Sequence, residues 1–199
     1  MAETLEELQE KIGYRFHDLT LLERALTHSS YANETGAKNH HLLCNERLEF
    51  LGDAVLGFVT AEYLYAKHPD LPEGDLTRRR AALVCEESLH EVAQALDLGS
   101  CLQLGRGEEQ GGGRHRPSIL ADATESVFAA VYLDGGMDAA RDLIHRVLLD
   151  KEREEQVEER RRDYKTELQE LVQRKSDQLL RYELTGSSRP AHANEVAFR

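Results

Sequence analysis

Residues 45–59, NERLEFLGDAVLGFV, constrain this chain more than any other stretch. Glu46, Glu49 and Asp53 stand at positions i, i+3 and i+7, which at 3.6 residues per turn fall within roughly a 60° arc of one helix face. Leu48, Phe50, Leu51, Ala54, Val55, Leu56, Phe58 and Val59 make almost every other side apolar, so the helix is expected to be buried rather than displayed. Three acids on a buried helix repel one another and carry a desolvation cost unless positive charge sits among them. Residues 119–133, ILADATESVFAAVYL, repeat the device: Asp122 and Glu125 share one face of a second apolar helix, with no base beside them. Carboxylates on two such helices, without a cysteine cluster or an H-E-x-x-H pair, form the oxygen-rich ligand set that a hard cation such as Mg²⁺ prefers. Such sites leave coordination places to water and phosphate, which suits phosphodiester hydrolysis. Helix capping, or pairing with an arginine such as Arg47, is the better account of any single acid. Two clusters together carry the signal.

The rest of the chain reads as helix up to residue 150. Leu5, Leu8 and Ile12 open one amphipathic helix, and Leu19, Leu22 and Leu26 a second. Polar residues 33–41 predict a loop before a long helix over 46–67, which ends where His68 precedes Pro69. Helical spacing resumes over 76–80, 87–96, 119–133 and 139–149, while glycine-rich residues 105–117 read as a flexible loop. Residues 150–163, DKEREEQVEERRRD, are charged with mixed signs, as in a solvated helical extension or linker. Beyond them the pattern changes to an amphipathic helix over 164–174 and two strands over 179–185 and 195–199.

Composition narrows the class. Three scattered cysteines, Cys44, Cys85 and Cys101, include no C-x-x-C pair and read as reduced, packed thiols. The acidic start MAETLEELQE and the lack of any membrane-length apolar run predict a soluble cytoplasmic protein with no membrane partner. A formal charge of −12 argues against nucleic-acid binding, because affinity for phosphate backbones comes largely from Lys and Arg. The distribution of charge weighs more than its sum.

On these residues the chain resembles the ribonuclease III family. NERLEFLGDAVL matches the family's signature over twelve consecutive positions, and HSSYANE, EGDLTRRRAALV, LGRGEEQGGGRHRPSILADATES and DYKTELQELVQ resemble further blocks in the expected order. The resemblance implies an all-α nuclease domain over residues 1–150, a charged linker over 151–162, and an incomplete α+β double-stranded-RNA-binding domain over 163–199. That last module is expected to lack its third strand and final basic helix. The implied enzyme is a homodimer that hydrolyses double-stranded RNA with Mg²⁺, Mn²⁺ being able to substitute. It leaves 5′-phosphate and 3′-hydroxyl ends with short 3′ overhangs, and processes ribosomal precursors and structured messages.

Carried over position by position, Glu49, Asp53, Asp122 and Glu125 are the implied metal ligands, with Asp53 and Glu125 the catalytic pair. Glu46 and Glu73 match auxiliary acidic positions near the dimer cleft, although Glu73 beside Pro72 reads equally well as a helix-capping acid. Phe50 is a candidate for the dimer interface or for core packing. Arg78, Arg79, Arg80, Arg106, Arg114 and Arg116 are candidate backbone contacts to a duplex. Thr166, Gln169, Glu170, Gln173 and His192 match RNA-contact positions of the C-terminal module. Two other classes stay open: a non-catalytic dimeric platform that binds double-stranded RNA, and a metal-dependent hydrolase of nucleotides or other phosphate esters.

Overall fold

The computed structural model describes residues 5–35 and 39–150. The chain divides into two units, Met1–Glu152 and Arg153–Arg199, and the described residues all belong to the first. The expected linker and RNA-binding module, with Thr166, Gln169, Glu170, Gln173 and His192, lie outside them.

The described residues are largely helical: α1 (Leu5–Ile12), α2 (Leu19–Ala25), α3 (Ser29–Glu34), α4 (Glu46–Lys67), α5 (Glu73–Leu83), α6 (Glu86–Leu96), α7 (Leu98–Cys101), α8 (Arg106–Gln110) and α9 (Pro117–Ile144), of which α3, α7 and α8 were not expected from spacing. Leu8 and Ile12 bury the apolar stripe of α1, and Gly13 follows with a left-handed φ of 66°. The Arg146 guanidinium donates to the Ile12 carbonyl and satisfies an orphan group at that helix end. Asp18 caps α2 by accepting the Thr20 N–H at 3.0 Å. Helix α4 stops at His68, before Pro69, as expected.

The core forms where α9 packs along α4 and α6 and against α2. Leu22, Leu56, Leu89, Phe128, Leu143 and Ile144 are wholly enclosed there. Among the described residues the one β-type contact is a parallel bridge between Thr27 and Gln103.

Two expectations need correction. Helix α4 is not buried all round: Leu48, Gly52, Val55, Leu56, Val59, Thr60 and Leu64 face the core, while Phe50 is 81% and Tyr65 77% exposed. The helix carries two apolar stripes, and among the described residues the one with Phe50 and Tyr65 is left largely open. Residues 105–117 are likewise no flexible loop. They form α8 and a 3₁₀ turn, Gly113–His115, held by Arg114, whose Nη1 donates to the Gly99 and Leu102 carbonyls at 2.6 and 3.0 Å. Its Nε donates to Glu109 at 3.0 Å, and Arg116 pairs with Glu108 at 2.6 Å.

Helix α9 breaks at Gly136, whose φ of 81° and ψ of −178° lie outside the helical region and in a range that favours glycine. This divides it near the gap predicted between residues 133 and 139, and His145–Leu149 continues as a π-helical turn. Asp134 sits just before the break, with its side chain 4% exposed. It accepts hydrogen bonds from Tyr14 Oη (2.8 Å), the His17 N–H (2.8 Å) and the Asp18 N–H (2.9 Å). Burial alone would raise this carboxyl; the two backbone donors, Tyr14 and His17 outweigh it and draw it down to about 2. Tyr14 is pushed up to about 12 by burial and by Asp134. Because the folded-state value is depressed, the stabilisation is present above the ordinary carboxylate range and is lost as pH falls from about 4 through about 2. Asp134→Ala is therefore expected to lower stability by about 2 kcal/mol at pH 7, with the difference from the parent shrinking in denaturant melts below pH 3.

Candidate active site

The crossing of α4 and α9 assembles the acids. Gly52 lies at the contact: a β-carbon placed on it would sit 1.9 Å from the Glu125 carbonyl oxygen. Only glycine permits that approach, which brings the Glu49 turn of α4 against the Glu125 turn of α9. A second tie lies one turn away. The Ser126 hydroxyl is 2.8 Å from the Asp122 carbonyl and 3.3 Å from the Asn45 carbonyl, and the Asn45 carbonyl also accepts the Glu49 N–H at 2.9 Å. One buried hydroxyl thus links the turn that carries Glu49 to the turn that carries Asp122.

Between these ties, carboxylate oxygens of Glu49, Asp122 and Glu125 all lie within 4.8 Å of one another, and all three residues are half-buried. Burial raises Glu49, and the charges of Asp122, Glu46 and Asp53 add to it. Burial likewise raises Asp122, opposed by the charge of His28. Glu125 is pushed up to about 7, first by burial and then by Asp53, Glu49 and Asp122. No arginine or lysine forms an ion pair with any of these acids among the described residues, and Arg47 is exposed instead. Desolvated carboxylates held together without an arginine or lysine among them are what a divalent cation neutralises, and an all-oxygen donor set fits a hard one. These residues therefore fit a metal ion.

Asp53 is exposed, one turn beyond Glu49, and its charge acts on both Glu49 and Glu125 without joining the three-residue group. Glu46 is exposed in the first turn of α4 and acts on Glu49 through its charge. Glu73 opens α5, where its Oε1 accepts from Thr77 Oγ1 at 2.8 Å. It lines a groove of about 490 Å³ with Phe58, Tyr65 and Arg80, apart from the acid cluster. Of the arginines proposed to meet RNA, Arg78 pairs with Asp75, and Arg114 and Arg116 clamp their own loop; Arg80 and Arg106 are exposed. Gly52, Ser126, Asn45 and His28 escaped the sequence reading. A glycine inside an apolar helix was the available signal for the first of them.

Fold and carboxylates together are those of an all-helical nuclease. A family model described as Ribonuclease-III-like matches residues 18–152. The chain is 49% identical over 188 residues to Ribonuclease 3 of Listeria welshimeri, covering 94% of this chain and 80% of that protein. It is 52% identical over 192 residues to Ribonuclease 3 of Caldanaerobacter subterraneus, covering 94% and 81%. Among solved structures, the nuclease domain of ribonuclease III from Campylobacter jejuni, described with a region involved in dimer formation, superposes with a TM-score of 0.67 at 42% identity. That match covers 72% of this chain and 95% of the other. Dicer from Pichia stipitis follows with a TM-score of 0.51 at 25% identity, covering 92% and 80%. The chain belongs to the ribonuclease III family and is an endoribonuclease, a hydrolase of phosphodiester bonds.

Proposed function

We propose that this protein is a homodimeric endonuclease that cuts double-stranded RNA by Mg²⁺-dependent hydrolysis, with Mn²⁺ able to substitute. The observation that carries this is the close, half-buried group of Glu49, Asp122 and Glu125 at the α4–α9 crossing. Those three, with Asp53 beside them, would hold the ion. When bound, it lowers the pKa of an attacking water and stabilises the leaving oxygen. The protein's own part is positional. Gly52 and Ser126 lock the two helices so that the carboxylates meet, and burial keeps those acids short of solvent. Asp53, exposed beside the cluster, faces arriving substrate and forms the reactive pair with Glu125. Hydrolysis joins the water oxygen to phosphorus and releases the 3′ oxygen, leaving 5′-phosphate and 3′-hydroxyl ends.

The exposed stripe of α4 supports the dimer. Phe50, Phe58 and Tyr65 are 81%, 53% and 77% exposed at spacings of eight and seven, on one side of the helix, and exposed aromatics in a row mark an interaction surface. Two copies supply two acid clusters, one for each strand of a duplex, with short 3′ overhangs as the result. We assign residues 1–150 to catalysis and dimerisation, 151–162 to a linker, and 163–199 to a partial RNA-binding module in which Thr166, Gln169, Glu170, Gln173 and His192 meet the duplex. Auxiliary roles in RNA handling fall to Glu46 and Glu73. Structured ribosomal and messenger precursors in the cytoplasm are the expected substrates. Among the described residues no helix is long and apolar enough to cross a membrane. A non-catalytic platform would have no use for desolvated, uncompensated acids.

The test offers an end-labelled RNA duplex and its single strand to the full chain with Mg²⁺ or chelator. Short duplex fragments from the first substrate alone, and only with the ion, are expected. Equal cutting of the single strand, or cutting in chelator, would overturn the assignment.

A further inference from the structure

We propose that a small pocket between α2, α4 and α9 is a docking site for a partner protein that presents a large apolar side chain flanked by acidic residues. The pocket encloses about 220 Å³ and is lined by Leu42, Leu48, Leu51 and Leu133 together with Arg24 and Arg47. Leu42 and Leu133 are 39% and 48% exposed, so the apolar lining is open to an incoming group. Cofactors and other sizeable ligands occupy cavities of roughly 300 Å³ or more. This one is smaller and suits a single inserted side chain, the way an interface anchor is held.

The arginines set the chemistry of what surrounds that anchor. The chain has a formal charge of −12, and Arg15, Arg78, Arg114, Arg116 and Arg141 each pair with an acid. Arg24 and Arg47 form no ion pair among the described residues in spite of that excess. Arg24 stands in the last turn of α2, where a cation is favourable to the helix. Arg47 has no such local reason. It is the second residue of α4, at the end where the helix dipole disfavours positive charge. Two unpaired guanidiniums on an apolar pocket complement carboxylates beside an apolar side chain, which an arginine fork takes in bidentate fashion. A nucleic-acid backbone would offer phosphates to the arginines but nothing to the leucines. The pocket also opens away from the acid cluster, because Arg47 and Leu51, each two residues from Glu49, stand about 160° from it round α4.

The test uses the full chain in chelator and a fluorescein-labelled synthetic peptide with one phenylalanine between two glutamates, read by fluorescence anisotropy. The parent is expected to bind it. Replacing the peptide's phenylalanine by alanine, or making the double change Arg24→Gln and Arg47→Gln, should each weaken binding by about 10-fold or more. Leu133→Ser, at an exposed side chain, should weaken it too without touching the charges. Melting temperature and duplex cleavage should match the parent in both variants. Four results would overturn the proposal: no binding by the parent at millimolar peptide, equal binding by the variants, displacement of the peptide by a short RNA duplex, or a double variant that sediments as a smaller species than the parent. The third makes the arginines phosphate contacts, and the fourth gives the pocket to a second copy of this chain.

Discussion

Gly52→Ala is expected to destabilise the protein by about 2 kcal/mol and to reduce duplex cleavage on the order of 100-fold. By intrinsic propensity alone the change should help, since alanine is favoured over glycine in a helix interior by about 1 kcal/mol. The surroundings reverse the sign. The new methyl would meet the Glu125 carbonyl at 1.9 Å, and that atom is backbone with no rotamer to change. Forcing extra volume into such a contact costs about 3 kcal/mol, so steric cost exceeds propensity gain. The helices must part or slide by about 1 Å, a misplacement that typically costs about 10²-fold in rate. Gly57 is the control. It lies on the same helix, and a methyl added there would have nothing within 4 Å in this chain, so Gly57→Ala should raise the chain's own stability by up to about 1 kcal/mol. Equilibrium denaturation and cleavage rates of the two variants decide the matter. A neutral Gly52→Ala would show that the α4–α9 approach is not what sets the site.

The acids were legible because helical periodicity alone brings Glu49 and Asp53 to one face of α4, and Asp122 and Glu125 to one face of α9. That the two faces meet was implied by the family resemblance and not by periodicity. It depends on where two helices cross, and the residues that set the crossing, Gly52 and Ser126, carry no charge to attract notice. The same limit explains the error over α4. Apolar residues on every side indicate burial by something, and Phe50 and Tyr65 do not tell from sequence whether that something lies within this unit.

The misread stretch at 105–117 has another cause. Its glycines suggest freedom, yet Gly105 has the Ser30 carbonyl 2.8 Å from where a β-carbon would be, and Gly113 is packed against Glu108. Glycine there permits close packing rather than motion. Arg114 is a long-range clamp, donating to the carbonyls of Gly99 and Leu102, and no local pattern announces it.

Glu125→Gln carries the other large expected effect. Glu125 is the acid under the greatest strain, raised to about 7 by burial and by Asp53, Glu49 and Asp122. An amide at this position removes the repulsion and the desolvated charge, so the variant should melt in chelator at or above the parent's temperature. It also replaces a charged carboxylate of the proposed metal site with a neutral amide that keeps a single, weaker oxygen donor. The charge stabilisation supplied by a held ion is worth several kcal/mol, so cleavage should fall on the order of 10³-fold, and the rise in melting temperature that Mg²⁺ gives the parent should largely disappear. Stability kept and activity lost is the signature of a site whose acids exist for chemistry rather than for folding.

The most direct measurement follows one labelled RNA duplex, at one Mg²⁺ concentration, through binding and cleavage by the parent and by Glu125→Gln. Both proteins are expected to retain the duplex on a native gel, while only the parent converts it to short fragments with 5′-phosphate ends. A variant that cuts at the parent's rate would contradict the assignment of catalysis to the carboxylates at the α4–α9 crossing.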